Sequence, residues 1–401
     1  MTGRAVVVGL GVTGRAVCTH LAGRGWDVVV VEDAPTAATA GETEALGARR
    51  GSLEDVAGAD LVVPSPGVGP RHPVHAAASG AGVPVWSEVE LAWRARGDRR
   101  VVAVTGTNGK TTVATLIAAM LVASGTRAVP AGNIGLPLVT AVEGDAEVLV
   151  AEVSSFQLAY TEQFRPEVAV WLNLAQDHMD WHPTMEDYAA AKARIWANQG
   201  RGDVAVVNAE DPAVMAAATG APGRVVTFGL ATGDWSVAGG MLRGPGGSVV
   251  AVADLARSLP HDLANTLAAL AAAVEAGATP AAGRAAVVGF GGLPHRVQLV
   301  GESGGVRYYD DSKATTPASV LAALQGFESV VLIAGGRNKG LDLRPLAGEA
   351  ARLRGVVAIG EAAPEVEAAF AGTAVPVTVA PSMGRAVEAA AAAARPGDAV
   401  L

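Results

Sequence analysis

The stretch Val101-Val102-Ala103-Val104-Thr105-Gly106-Thr107-Asn108-Gly109-Lys110-Thr111-Thr112 constrains this chain more than any other. Its four leading apolar residues, three of them β-branched, suit a strand covered on both faces. Two glycines, a lysine and a closing pair of threonines follow, and Val113 to Val122 is then almost entirely apolar or alanine, the pattern of a helix. Strand, glycine-bearing loop and helix in that order make a phosphate cradle, because loop N–H groups point at oxygens and the helix N-terminus adds the positive end of its dipole. Lys110 would reach the outer phosphates and the Thr111 hydroxyl would take a place on Mg²⁺. The longer pattern G-x-x-x-x-G-K-[ST] is not met, since Val104 stands where its first glycine belongs. An ordinary glycine-rich turn explains the glycines alone. Lysine and hydroxyl directly after the glycine favour ATP or GTP, held by Gly106, Thr107, Asn108, Gly109, Lys110, Thr111 and Thr112.

A second phosphate motif opens the chain. Residues 4–9 read as a strand, and Gly9-Leu10-Gly11-Val12-Thr13-Gly14 is a full G-x-G-x-x-G leading into a helix through Leu21. A further strand, Val28–Val31, ends at Glu32-Asp33, so the acidic residue of a dinucleotide fingerprint is present. The motif specifies a diphosphate, with Gly11, Val12, Thr13 and Asp33 around it. NAD and a UDP-linked compound both satisfy it. The strand-like run Leu61–Pro64 ends in a Pro- and Gly-bearing turn containing Gly67, and strand ends of this kind are where α/β sheets bind ligands.

Valine-rich strands alternating with alanine-rich helices place the 401 residues in the α/β class, with length for three domains. The expected boundaries are 1–97, a Rossmann-like domain; 98–292, a central P-loop ATPase-type parallel or mixed sheet; and 293–401, a Rossmann-like α/β domain. A net charge of −9 and the lack of a long basic block argue against a nucleic-acid partner. One cysteine, Cys18, fits a reducing compartment, and no run reaches 18 apolar residues, so a soluble cytoplasmic protein without a membrane partner is expected. Ser87-Glu88-Val89-Glu90 reads as a capping start for a short helix. Gly132-Asn133-Ile134-Gly135 precedes the strand Val148–Glu152, whose terminal carboxylate is placed for a nucleotide Mg²⁺. Asp177-His178-Met179-Asp180-Trp181-His182 invites zinc, but Met179 occupies the position of the catalytic glutamate in H-E-x-x-H, so zinc is set aside. Lys192, in a helix Met185–Trp196, reads from its neighbours as a solvated helical lysine. Gly239–Gly247 reads as a hairpin, Asn265 as a first-turn residue of the helix opened by His261, and the runs before Lys313 and Lys339 as parallel strands.

Taken together, Gly-Leu-Gly-Val-Thr-Gly, Gly-Thr-Asn-Gly-Lys-Thr-Thr, Gly-Asn-Ile-Gly, Glu-Val-Ser-Ser-Phe-Gln-Leu, Asn-x-x-x-Asp-His-Met-Asp, Leu-Pro-His-Arg, Asp-Ser-Lys-Ala-Thr and Gly-Gly-x-x-Lys-Gly, in this order, resemble the Mur ligases, ATP-dependent amino-acid ligases of peptidoglycan precursor synthesis. Within that family the set resembles the members that add D-glutamate to UDP-N-acetylmuramoyl-L-alanine. The resemblance implies three domains for UDP-sugar, ATP and amino acid, and a monomer using ATP and two Mg²⁺ ions. It implies Thr111 and Glu152 on one metal, and His178 with a carbamylated Lys192 on the other, where CO₂ turns the lysine's cation into an anion. Asn265, Arg296 and Asp311 correspond to nucleotide contacts, and Asn133, Ser154 and Gln157 to the muramoyl-alanine side. Lys313, Thr315 and Lys339 correspond to D-glutamate contacts.

Two departures from the family pattern carry expectations of their own. Ala34-Pro35 follow Asp33 where an arginine usually helps hold uracil, and the sequence stops at Asp398-Ala399-Val400-Leu401 where the family continues into a Ser- and Phe-bearing loop, so weak glutamate binding is expected. Alternatives are a related ligase with another amino acid, of Mur or folylpolyglutamate type, an NAD-dependent oxidoreductase, and a UDP-sugar binder.

Overall fold

In a computed structural model that describes residues 3–34, 36–338 and 340–401, the opening motif is a four-stranded parallel sheet ordered Arg49–Arg50, Asp27–Val31, Arg4–Val8, Leu61–Pro64. Its valines are buried on both faces: Val7, Val28, Val30 and Val63 enter one core, and Val6, Val8, Val29 and Val62 another. That is why these strands read as apolar runs and do not alternate. The helix Val12–Ala22 starts at Gly11. A Cβ on Gly14 would stand 1.9 Å from the Gly9 carbonyl oxygen, so the third glycine lets the helix close on the strand, whereas Gly11 has nothing within 4 Å of its missing Cβ.

The central sheet is six-stranded and wholly parallel, ordered Arg224–Phe228, Val204–Asn208, Val168–Trp171, Arg100–Thr105, Val148–Glu152, Ala128–Gly132. The phosphate-loop strand lies in its interior, with Val104 beside Glu152 and Thr105 beside Trp171, so three strand ends open at one edge. Gly109 adopts φ 86°, a left-handed conformation that glycine takes at no steric cost, and caps the helix Lys110–Ala123. The expected hairpin region is a three-stranded antiparallel sheet of Ser236–Ala238, Met241–Gly244 and Gly247–Ala251.

The third sheet is ordered Gln298–Ser303, Val306–Asp310, Ala399–Val400, Val330–Gly335, Leu353–Ile359, Val377–Ala380. It is mixed, not purely parallel, because Gln298–Ser303 runs antiparallel to its neighbour across Gly304-Gly305, both at positive φ. A Gly-Gly pair of that conformation is a hairpin signal, but all six residues of the added strand are exposed and give no alternating pattern to read.

Three local expectations are corrected. Ser87 does stand before the helix Glu88–Ala95, but its hydroxyl caps nothing and both Glu88 and Glu90 are buried. Asn265 falls in the second turn, because its helix begins at Pro260. The helix from Met185 ends at Ala193 and tightens to 3₁₀ geometry over Arg194–Trp196.

The chain forms two compact units, one of residues up to Leu174 with Trp181–Ala251 and Thr266–Val287, the other of Ala175–Asp180, Val252–Asn265 and Val288–Leu401. Among the described residues no helix is long and apolar enough to cross a membrane.

Candidate functional site

In the first unit the phosphate loop is held from below by the neighbouring strand end. The Asn173 Oδ1 accepts the Thr107 and Asn108 N–H groups at 3.0 and 2.9 Å, and its Nδ2 donates to the Asn108 carbonyl at 3.1 Å. Lys110 Nζ donates to the Gly106 and Thr107 carbonyls at 3.0 and 2.9 Å. Gly106 also accepts from Lys192 Nζ at 2.7 Å. Lys192 is 1 % exposed and lies over the Tyr188 ring, whose hydroxyl meets Thr107 Oγ1 at 3.3 Å. The solvated-lysine reading of Lys192 is therefore overturned. The helix Met185–Ala193 turns this residue inward, under the loop.

Glu152 ends the next strand and is 2 % exposed. Its Oε1 accepts from Asn133 Nδ2 at 2.9 Å, and among the described residues its buried Oε2 has no hydrogen-bond partner. An orphaned carboxylate oxygen beside a phosphate loop is a hard donor of the kind Mg²⁺ takes, since Mg²⁺ in nucleotide sites is held by one or two side chains plus phosphates and water. No three His, Cys, Asp or Glu side chains cluster as a metal cage among the described residues, and this donor set needs none.

Ser154 and Gln157 follow as a reciprocal capping box of the helix Ser155–Ala159. Gln157 Oε1 accepts from Ser154 N and Oγ, both at 2.9 Å, while its Nε2 donates to Glu88 Oε1 at 3.1 Å. Burial pushes the Glu88 carboxyl up to about 7, against the opposing pull of its N–H donors. Gln157 and Glu88 line a cleft with Ser65, Phe156, Tyr160 and Trp181. At the first sheet's end, Ser65 Oγ donates to the Gly9 carbonyl at 2.7 Å and so joins the turn containing Gly67 to the glycine loop. Val12 is 67 % exposed, Gly11 and Gly67 are open, and Thr13 is half-buried beside them. The two acidic residues of the fingerprint part company. Glu32 folds back onto the Leu10 N–H, while Asp33 stays exposed and meets His72 Nε2 at 3.0 Å.

In the second unit, Arg296, Asp311, Lys313 and Thr315 gather at one strand end. The Asp311 carboxylate accepts the Val297 N–H at 3.1 Å and the Lys313 N–H donates to the His295 carbonyl at 3.3 Å. Burial raises the Asp311 carboxyl to about 6. His295 and the buried, β-branched Val297 adopt φ 61° and 43°, conformations that non-glycine residues rarely take and that mark this turn as strained. Arg257 bridges Asp262 to the Val297 carbonyl, tying the start of the Asn265 helix to the turn. His178 also has a positive φ, 56°, with its ring 3.2 Å from the Asp177 carboxylate. Lys313 and Thr315 are exposed. Lys339 lies outside the described residues.

The residues that sequence reasoning left without a role are Asn173, Tyr188 and Glu88. Asn173 was legible as the first member of Asn-x-x-x-Asp-His-Met-Asp, but nothing in its spacing announces that it folds under the loop. Tyr188 gave no signal, and Glu88 read only as part of a helix start.

Comparison with known proteins covers the whole chain. The Mur ligase MurD-like N-terminal domain matches residues 3–87, the Mur ligase middle domain 104–273, and the Mur ligase glutamate ligase domain 295–401. The UDP-N-acetylmuramoylalanine–D-glutamate ligase of Frankia casuarinae is 48 % identical, over 99 % of this chain and 88 % of its own length. That of Geobacter metallireducens is 42 % identical, over 99 % and 91 %. Among solved structures, a pseudomurein peptide ligase type C from Methanothermus fervidus superposes with a TM-score of 0.66 at 17 % identity, covering 100 % of this chain and 96 % of its own, which speaks for the fold. With three domain profiles in order and relatives above 40 % identity along nearly its full length, the chain belongs to the Mur ligase family.

Proposed function

We infer that this protein is an ATP-dependent, ADP-forming ligase that joins D-glutamate to UDP-N-acetylmuramoyl-L-alanine in peptidoglycan precursor synthesis. The observation that carries the reading is the phosphate loop with Lys110 and buried Lys192 on one carbonyl and Glu152 alongside, in a chain 48 % identical to a ligase of that name. A carboxylate is a poor acylating agent. The alanine carboxylate oxygen attacks the γ-phosphorus of ATP, the bond to the β–γ bridging oxygen breaks, and ADP leaves an acyl phosphate behind. The D-glutamate amine attacks the acyl carbon, its nitrogen gives up a proton, and phosphate departs from the tetrahedral adduct as the C–O bond to the phosphorus-bound oxygen breaks. Lys110 neutralises charge gathering on the transferring phosphoryl oxygens. Glu152 and Thr111 would hold a Mg²⁺ ion, which when bound screens the phosphate charge. Lys192, as a carbamate, and His178 are assigned by family motif to a second ion.

The proposed division is 1–97 for the UDP-substrate, 98–292 for ATP and 293–401 for the amino acid. Gly11, Val12, Thr13, Asp33, Gly67, Asn133, Ser154 and Gln157 serve the first ligand, Asn265, Arg296 and Asp311 assist the nucleotide, and Lys313, Thr315 and Lys339 hold D-glutamate. The protein acts as a cytoplasmic monomer in this reading. Phosphate release from UDP-N-acetylmuramoyl-L-alanine, ATP and Mg²⁺ that depends on D-glutamate tests it. Release that depends on another amino acid, or on UDP-muramic acid with L-alanine, would overturn the substrate assignment.

Three mutational outcomes follow at these sites. Gly11→Val should melt like wild type, because its side chain enters open space, yet lose the UDP-substrate while still binding ATP. Gly14→Ala should instead lower Tm through about 1–3 kcal/mol of overpacking against the Gly9 carbonyl. Loss of ATP and retention of UDP-substrate in Gly11→Val would reverse the domain assignment. Glu152→Gln should shift Mg²⁺ activation to higher concentration by at least the roughly tenfold that partners outside the coordination sphere cost. An unchanged Mg²⁺ titration removes Glu152 from the metal.

A further inference from the structure

Glu88 has no part in the chemistry above, yet it is 1 % exposed and both of its carboxylate oxygens accept hydrogen bonds. Oε1 accepts from Gln157 Nε2 and Oε2 from the Val139 N–H, both at 3.1 Å. The far end of the Gln157 amide accepts from Ser154 N and Oγ. An amide has one accepting and one donating end, so Glu88 and Ser154 together allow Gln157 a single orientation, carbonyl toward Ser154 and NH₂ toward Glu88. One Nε2 hydrogen is taken by Glu88 and the second remains. Gln157 and Glu88 line a small cleft in which, among the described residues, Ser87 and Trp181 also carry buried polar atoms without a hydrogen-bond partner, Oγ and Nε1.

We propose that Glu88 is a positioning residue: by fixing the Gln157 amide it presents an N–H donor to the cleft, which selects a ligand group that accepts hydrogen bonds, the acyl oxygens at the muramoyl-alanine end of the UDP-linked substrate. This rests on the ligase reading for the identity of the ligand. The chemistry of the pair makes the claim sharp. A carboxamide at position 88 has to keep its oxygen for the Val139 N–H, so its NH₂ faces Gln157 and turns that amide over. The turned amide then sets its own NH₂ against the Ser154 N–H, donor against donor, and offers its carbonyl to the cleft.

Two variants separate positioning from mere support. Glu88→Gln should raise the KM for UDP-N-acetylmuramoyl-L-alanine about tenfold, the scale of one hydrogen bond lost and one polar group left unmatched, with the KM for ATP unchanged and Tm lowered. In the swap Glu88→Gln with Gln157→Glu, the NH₂ at 88 donates to the carboxylate at 157, which still accepts from Ser154. Tm should therefore return to the wild-type value, while the KM stays high because the cleft now meets an acceptor. Recovery of KM together with Tm would show that Glu88 only supports the fold, and an unchanged KM in Glu88→Gln would overturn the proposal outright. Should the swap fail to fold, Glu88→Gln assayed below its Tm decides alone, since a fall in kcat with unchanged KM also overturns it. Wild-type protein that releases no phosphate from the UDP-substrate, ATP and D-glutamate would instead bring down the ligase reading, which separates the two failures.

Discussion

Lys110→Ala is expected to release phosphate roughly 100- to 1,000-fold more slowly than wild type, the usual effect of removing one preorganised charge from a transition state, with the UDP-substrate bound as before. Lys110 starts the helix after the phosphate loop, and its ammonium is held by two loop carbonyls, 3.0 and 2.9 Å away. It is thus placed by the loop itself and travels with the phosphates that the loop binds. The first sheet and its glycine loop do not depend on it, so titration with UDP-N-acetylmuramoyl-L-alanine should give wild-type affinity. Single-turnover phosphate release is the measurement that matters. A variant with wild-type turnover removes the central premise, because no reading of the loop as a phosphate cradle survives a dispensable lysine.

Lys192→Ala is expected to be nearly as damaging, and here the experiment must separate three accounts. The side chain is fully buried, so its truncation leaves a cavity and lowers stability by about 2–5 kcal/mol, as for other large buried side chains. It also removes one of two ammonium donors on the Gly106 carbonyl. Neither effect is undone by a small anion. If the working form is the carbamate, acetate or formate should enter the vacated space, supply the missing oxygens, and restore part of the phosphate release without restoring Tm. Lys192→Met, which keeps the packing and loses the nitrogen, should fall as far in rate with less loss of Tm. Full activity in Lys192→Ala without an additive sinks the carbamate. Loss of activity that no carboxylate rescues leaves Lys192 as a tie beneath the loop.

Much of this is legible in the amino-acid sequence, and the legible part has a common physical origin. Strands buried on both faces write themselves as valine runs, and phosphate loops need glycine, lysine and hydroxyl at fixed spacing, so Arg4–Val8, Arg100–Thr105, Gly9–Gly14 and Gly106–Thr112 could be found by local rules. What could not be found depends on partners distant in sequence. Lys192 looks like a solvated lysine among alanines, because the groups that bury it, Gly106 and Tyr188's loop contact, are assembled only when the strand ends align. Glu88 and Glu90 look like a polar helix start for the same reason: the Val139 N–H and the Glu162–Phe164 N–H groups that donate to them lie 51 to 74 residues away. Gln298–Ser303 escaped because an exposed edge strand has no buried face to impose alternation.

Asn173 has a consequence for the speed of nucleotide capture. A glycine loop free in solution samples many conformations, and a ligand that needs one of them associates more slowly than diffusion allows. Here one carboxamide from the adjoining strand end grips two loop N–H groups and one carbonyl. The loop is therefore held in shape ahead of the triphosphate, and encounter, not loop ordering, is expected to set the on-rate. In Asn173→Ala the association of nucleotide would slow and become limited by the loop's own fluctuations, although the altered residue is not among those assigned to the nucleotide.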